Sequence, residues 1–310
     1  YQLSPVPGDA EERAYMAENY QSSWFFDAHV WREDSLERYE LSEIFRQHDE
    51  DFKFILNAIR VGEVTQEMLD QINSAGNRFP PHDDVIRLAT INETVNLVNR
   101  TRMTKLTGKP KTFEAVFSSG DEKLFGRTLP AEPVLELKIG AQVMFIKNDD
   151  SQSRRAAGAG TERRWVNGTI GRVLDLPSSG GVIVEADGQE LEVGPASWEK
   201  VRYEVEEEFD ESTQRMREIL VAIPLAEYQQ IPLRLAWAVT VHKAQGQTYD
   251  EVQIDMGRGA FSPGQTYVAL SRVRALEGLY LTRAIQMKDV LVDQDVLRFM
   301  NTVRSTEKLF

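Results

Sequence analysis

The sequence contains no cysteine, which excludes a disulfide scaffold, a thiolate zinc site and a thiol nucleophile. Its histidines, His29, His48, His82 and His242, never form HExxH, so a helical zinc-hydrolase site is excluded too. No apolar run approaches the roughly 18 residues of a membrane span. The opening YQLSPVPGDAEE has neither the basic start nor the apolar stretch of a secretory signal. The expectation is a chain that neither spans a membrane nor carries a secretory signal. A phosphate-cradling GxxxxGK[ST] loop is also missing, because Gly108-Lys109 runs into Pro110. GxGxxG is absent, since Gly257-Arg258-Gly259 lacks the third glycine. Nothing supports a serine triad. The carboxylates Asp149-Asp150 fall in a polar stretch, where solvation is the simpler reading than acid–base work.

What is present is 310 residues with ample apolar content for a core and a net charge of −13. That charge argues at first against nucleic acid, whose binders usually carry a basic footprint. Its distribution weakens the argument. Residues 1–70 hold 16 acidic and 6 basic residues, whereas 96–117 holds five basic and one acidic, and 231–310 ten basic and eight acidic.

The chain reads in three stretches. A proline-broken start precedes a helix at about 10–20 and the aromatic group Trp24, Phe25, Phe26 and Trp31, most simply packing residues. Asp49 is placed to cap a helix with Phe52, Leu56 and Ile59 on one face, ended by Gly62. Thr65 is placed to cap another, with Met68, Leu69 and Ile72 inward. VIRLAT (85–90) is a buried-strand pattern feeding a helix. From 134 to about 226 short apolar runs alternate with turns such as Asp187-Gly188, which predicts a small antiparallel barrel or sandwich. The polar segment 148–164 looks like a loop, and its arginines Arg154, Arg155, Arg163 and Arg164 are either solvated or in reach of a single strand. Asn167-Gly168 suits a turn better than a contact. From 233 the α/β pattern returns: LRLAWAVTV as one apolar strand, HKAQGQT turning toward a helix, strands VQID and LYLTRA, a helix over YVALSRV, and a docking helix with Val296, Phe299, Met300 and Val303.

Two segments carry chemistry. TVHKAQGQT (240–248) follows a buried strand, and strand ends rich in glycine and hydroxyls are where α/β sheets hold ligands. GQTYVALSRVR (264–274) brings arginines, suited to a bidentate grip on phosphate. Together with LSEIFRQ (41–47), YQLSPV (1–6), GAQVMFIKND (140–149) and WVNGTIG (165–171), these segments resemble the motifs of superfamily 1B DNA helicases, in the branch of RecD and the Pif (petite integration frequency) helicases. TVHKAQGQT resembles motif V, GQTYVALSRVR motif VI, LSEIFRQ motif IV and YQLSPV the end of motif III. GAQVMFIKND with WVNGTIG resembles the inserted SH3-like barrel, and it favours the Pif side.

The resemblance implies an α/β fold: a RecA-like, P-loop NTPase-type parallel-sheet domain interrupted by a small SH3-like β-barrel. The expected boundaries are 1–36 for the remnant of a first RecA-like domain and linker, 37–133 and 227–310 for the second RecA-like domain, and 134–226 for the barrel. It implies the C-terminal half of an ATP-dependent motor that moves 5′ to 3′ on single-stranded DNA. This half would be inactive alone, because the Walker lysine and carboxylates belong to the first RecA-like domain, its expected partner. The expected cofactor is ATP with Mg2+, the metal ligands lying in that other domain. Arg46 and Arg272 would be catalytic, reaching the γ-phosphate across a cleft. Gln2, Gln245 and Gly246 would lie at the nucleotide, the glycine allowing close approach. Thr90, Asn92, Thr240, His242 and Lys243 would meet DNA, although Thr90 also suits a plain helix cap and Lys243 a structural pairing. A monomer is favoured, with no membrane contact, in the nucleoid of a bacterium or in the nucleus or mitochondrion of a eukaryote. The alternative reading is a non-catalytic nucleic-acid- or protein-binding module on a RecA-like fold, motivated by the missing Walker loop.

Overall fold

The structure, a computed structural model, describes residues 3–5, 8, 10–32, 44–120, 122–125, 129–149, 164–210 and 215–307. Gln2, residues 41–43 of the LSEIFRQ segment, and Arg154, Arg155 and Arg163 lie outside them. The chain forms two compact units, one of Tyr1–Leu97 with Ala238–Phe310 and one of Val98–Trp237.

The first unit is built on a parallel sheet of order Ala238–Thr240, Ile86–Ala89, Val252–Asp255, Leu279–Leu281. Its central strand is almost wholly buried, as a parallel sheet covered on both faces requires. The helix Glu50–Val61 begins where Asp49 accepts hydrogen bonds from the amides of Asp51 and Phe52. It ends at Gly62, whose φ of 80° is the left-handed cap that glycine supplies without strain. Phe52, Leu56 and Ile59 are buried along one face, as their spacing predicts. Replacing Asp49 by alanine should cost about 1 kcal/mol, read as a lower denaturation midpoint in urea with an unchanged slope. Thr65 caps Gln66–Gly76 through the Met68 amide, and Leu69 and Ile72 are buried. The C-terminal helix Gln294–Glu307 docks through Phe299, which stacks on Phe26 at 4.4 Å between ring centroids and meets Phe25 and Trp31 edge-on or tilted. The early aromatic group is therefore packing.

The second unit is antiparallel. Its five-stranded sheet runs Leu233–Leu235, Gln142–Phe145, Ile170–Asp175, Val182–Ala186, Gln189–Val193. Inward residues such as Val143, Phe145, Val173, Val184 and Leu233 form one apolar cluster with Trp165. Asp187-Gly188 is the two-residue hairpin turn, with φ of 50° and 74°. Lys111–Glu114, a strand that the apolar pattern did not reveal, pairs with Val134–Leu137. This unit begins before 134 and ends after 226.

Three expectations change. LRLAWAVTV is not one strand: Leu233–Leu235 joins the antiparallel sheet and Ala238–Thr240 the parallel one. An unbroken apolar run reads the same whichever sheet buries each half. HKAQGQT is the expected turn, with Ala244 donating to the Thr240 carbonyl and Gln247 to that of Ala244, but no helix follows it before Val252. Asp149 is not solvated but buried, and Arg164 grips both its oxygens at 2.8 and 3.1 Å while stacking over Trp165 at 4.4 Å. That bond raises the Arg164 proton affinity and accounts for the side chain as structural.

Candidate nucleotide and nucleic-acid site

The site lies in the first unit and has two ends, because one segment serves both. Residues 241–251 leave the carboxyl end of the strand Ala238–Thr240 and must return to the amino end of the parallel strand Val252–Asp255.

At the carboxyl end, Ala89 is the register partner of Thr240, and the Val241 amide donates to the Ala89 carbonyl at 3.0 Å. Thr90 and Thr240 therefore leave adjacent strands together, both nearly buried. The helix starts at Asn92, so Thr90 lies two residues before it rather than at the expected cap. The Thr240 hydroxyl accepts from the Lys243 amide at 3.4 Å. His242 is half-buried; Asn92 and Lys243 are exposed. The five residues expected to meet DNA all come from these two strand ends, where parallel sheets commonly hold ligands.

At the other end three distant stretches meet. Arg46 donates from Nε to the Thr248 hydroxyl at 2.7 Å and from Nη1 to the Ser271 carbonyl at 3.1 Å. Gln47, buried beside it, donates to the carbonyls of Ser271 and Val273. Tyr249 donates its amide to the Arg272 carbonyl at 2.9 Å and accepts from the Arg274 amide at 3.1 Å. This short parallel bridge clamps the 245–249 turn to the residues following the helix Gln265–Leu270. Arg272 is 3% exposed, and its three guanidinium nitrogens donate to the Val268 carbonyl, the Gln247 carbonyl and the Ser271 hydroxyl at 2.8–2.9 Å. It is thus held inside its own unit, whereas Arg46 is half-buried. Gln245 and Gly246 are exposed on the same turn. A Cβ on Gly246 would meet nothing within 4 Å, so its φ of 85° rather than crowding calls for glycine.

The electrostatics are unusual. Burial, and then the neighbouring Arg46, lower the Arg272 proton affinity to about 10. Burial lowers that of Arg46 too, and desolvation pushes up that of the Tyr249 phenol. Among the described residues no carboxylate pairs with either arginine. Two partly desolvated guanidiniums that share Ser271, with no carboxylate partner among the described residues, concentrate positive charge that an anion would offset. Such a pair fits a nucleotide phosphate. No group of three carboxylate or imidazole side chains able to hold a metal occurs among the described residues. Gln47 and Thr248 close the LSEIFRQ and TVHKAQGQT segments but were given no role of their own in the sequence, and Tyr249 follows the second of them; all three belong to this cluster.

No family model matches the chain. The ATP-dependent DNA helicase PIF1 of Danio rerio is 34% identical over 317 residues, covering 99% of this chain and 43% of that protein. The ATP-dependent DNA helicase Pif1 of Bdellovibrio bacteriovorus is 30% identical over 295 residues, 94% of this chain and 60% of that one. A crystal structure of Pif1 helicase from Bacteroides, in complex with ADP-AlF3 and single-stranded DNA, aligns with a TM-score of 0.71 at 28% identity over 98% of this chain and 65% of that chain. The Pif1 helicase of Candida albicans aligns with a TM-score of 0.70 at 26% identity, over 97% and 66%. The chain spans about half the length of the curated relatives it matches.

Proposed function

We propose, on the premise that this chain is related to the Pif1 helicases over nearly its whole length, that it is the C-terminal motor half of an ATP-dependent 5′–3′ DNA helicase. One observation carries the reading: Arg46 and Arg272 form a desolvated pair fastened to the same Ser271, with no carboxylate partner among the described residues. Phosphoryl transfer is catalysed largely by positioning and by neutralising charge on the transferred group. In this reading Arg46 and Arg272 complete an ATP site whose Walker lysine and Mg2+ ligands come from another RecA-like domain. ATP supplies the phosphoryl group, Gln245 and Gly246 lie beside it, and Gln2 couples the nucleotide state to DNA. The 241–251 segment links that end to the strand-end group Thr90, Asn92, Thr240, His242 and Lys243, which takes the DNA backbone. Hydroxyls and free amides at such strand ends suit phosphate oxygens, so binding is independent of base sequence and falls with salt. The five-stranded antiparallel sheet is read as the inserted SH3-like barrel.

The test is ATP hydrolysis with and without single-stranded DNA. This chain alone should turn over no ATP. Combined with an N-terminal Pif1 motor domain bearing the Walker loop, it should show DNA-stimulated hydrolysis. Tight, salt-sensitive DNA binding by the isolated chain, with no hydrolysis in the combined protein, would favour a non-catalytic binding module instead.

A further inference from the structure

Three neighbouring strands of the parallel sheet end at one level, and the group read as meeting DNA uses two of them. Ala89 is the register partner of Thr240 on one side and of Asp255 on the other. The chain after Asp255 therefore leaves the sheet beside Thr90 and Thr240. It does so through Gly257-Arg258-Gly259, the glycine pair that fails as a dinucleotide loop and has no role in the reading above. A Cβ on Gly257 would lie 3.7 Å from the Thr90 hydroxyl, so this turn borders the strand-end group.

The turn is held in one shape from several sides. The Gly259 amide donates to the Met256 carbonyl at 2.8 Å, and the Gly257 amide to the Asp255 carboxylate at 3.0 Å. Gly257 and Gly259 have φ of 49° and 137°, which residues with a Cβ rarely adopt. Arg283 donates to the Gly257 carbonyl at 2.7 Å, and the Ala260 amide donates to the buried Asp289 carboxylate. The Phe261 amide donates to the side-chain oxygen of the fully buried Gln265 at 3.2 Å. Backbone groups of the turn make all of these bonds, and two side chains are left over. Arg258 is exposed, with no hydrogen bond or ion pair among the described residues. Phe261 is 61% exposed. The two carboxylates that bond this turn are already engaged, Asp255 by Arg87 at 3.9 Å and Asp289 by Arg283 at 2.7 Å.

A lone exposed arginine is ordinarily just solvated. Here a fixed turn carries it to the edge of hydroxyls suited to phosphate, with an exposed ring three residues on. A cation for the backbone and an aromatic face for the bases are how proteins hold single strands without reading their sequence.

We propose that the 257–261 turn is a further contact with single-stranded DNA, in which Arg258 takes a backbone phosphate and Phe261 stacks on a base. The inference rests on the reading of the strand-end group as the DNA contact and extends it to the third strand.

The test uses the protein combined with an N-terminal Pif1 motor domain and follows the anisotropy of fluorescein-labelled oligothymidylate across a series of salt concentrations. Arg258→Ala should weaken binding about five- to tenfold. It should also flatten the slope of log affinity against log salt by about 0.7, the share of one phosphate on a single strand. Arg258→Lys, which keeps the charge, should restore the slope. Phe261→Ala should weaken binding about tenfold with the slope unchanged, and this loss should vanish on an abasic strand, where the Arg258→Ala loss persists. Both side chains lie outside the core, so the variants keep the fold, and His242→Ala is the control for the DNA end itself. Parent affinity and slope in Arg258→Ala, with His242→Ala weakened, would overturn this proposal and leave the DNA reading standing. Parent affinity in both variants would remove the DNA reading and this proposal with it. Equal losses for Phe261→Ala on the two strands would overturn the stacking.

Discussion

Replacing Arg272 by glutamine should lower DNA-stimulated ATP turnover about 10³-fold or more, the scale on which a finger arginine acts, while shifting thermal stability much less. The reasons lie in its bonds and its burial. The guanidinium reaches Val268, Gln247 and Ser271 in three directions at once, a fork that lysine's point charge cannot reproduce. Arg272→Lys should therefore also be strongly impaired although it keeps the charge. Stability responds differently because the charge is held under strain. Burial and Arg46 lower the Arg272 proton affinity to about 10, well below the ordinary guanidinium value. A base whose folded value is lowered loses its proton first in the native state. Its contribution therefore opposes folding at neutral pH and improves only as pH rises past about 10. Glutamine removes that penalty along with the hydrogen bonds, so the two changes partly offset. The decisive measurement is turnover in the protein combined with a Walker domain, beside a melting curve of the same variant. Undiminished turnover in Arg272→Gln would remove this arginine from the catalytic apparatus.

Much of this was legible in the chain because it is local. Asp49 and Gly62 mark a helix, and Asp187-Gly188 a turn, through hydrogen bonds and φ angles that depend on immediate neighbours. Strand-end and arginine chemistry pointed to TVHKAQGQT and GQTYVALSRVR, but Arg46 was named only through resemblance. Arg46 meets Ser271 across 225 positions, and no periodicity encodes that contact. Features without a local rule were misjudged. Apolar alternation stops near 205 and resumes near 219, where the charges of Glu206–Glu208 and Arg215–Arg217 intervene, yet the paired strands run Ala196–Asp210 and Arg215–Gln230. Strands in an open ribbon need no buried face, so alternation stops before the hydrogen-bond ladder does. Asp149 looked solvated because its partner Arg164 lies fifteen positions away, beyond a polar segment.

Asp289 was equally invisible in the sequence, and Asp289→Asn should destabilise the first unit by about 3 kcal/mol. Its side chain is fully buried, and Arg283 grips it with two bonds of 2.7 and 2.9 Å. The Gln286 amide donates a third bond at 2.9 Å. Burial works against the charge, but Arg283 and the backbone donors hold the carboxyl below its ordinary value. An acid so lowered stabilises the fold at neutral pH, and the contribution is lost as pH falls through the folded value. The difference between parent and Asn variant in urea midpoint should thus shrink in acid, and equal midpoints at pH 7 would refute the assignment. Arg283 is 27% exposed, so water softens the loss of its partner and keeps the expected effect at the lower end for a broken buried pair. The consequence reaches the site through the backbone. Arg283 also donates to the Gly257 carbonyl, Thr266 donates its hydroxyl to the Asp289 carbonyl, and the Gly264 amide donates to the Leu291 carbonyl. These bonds hold the start of the helix Gln265–Leu270 whose far end presents Ser271 and Arg272. A variant that loosens Asp289 should therefore lower ATP turnover even where it stays folded, without touching nucleotide or DNA.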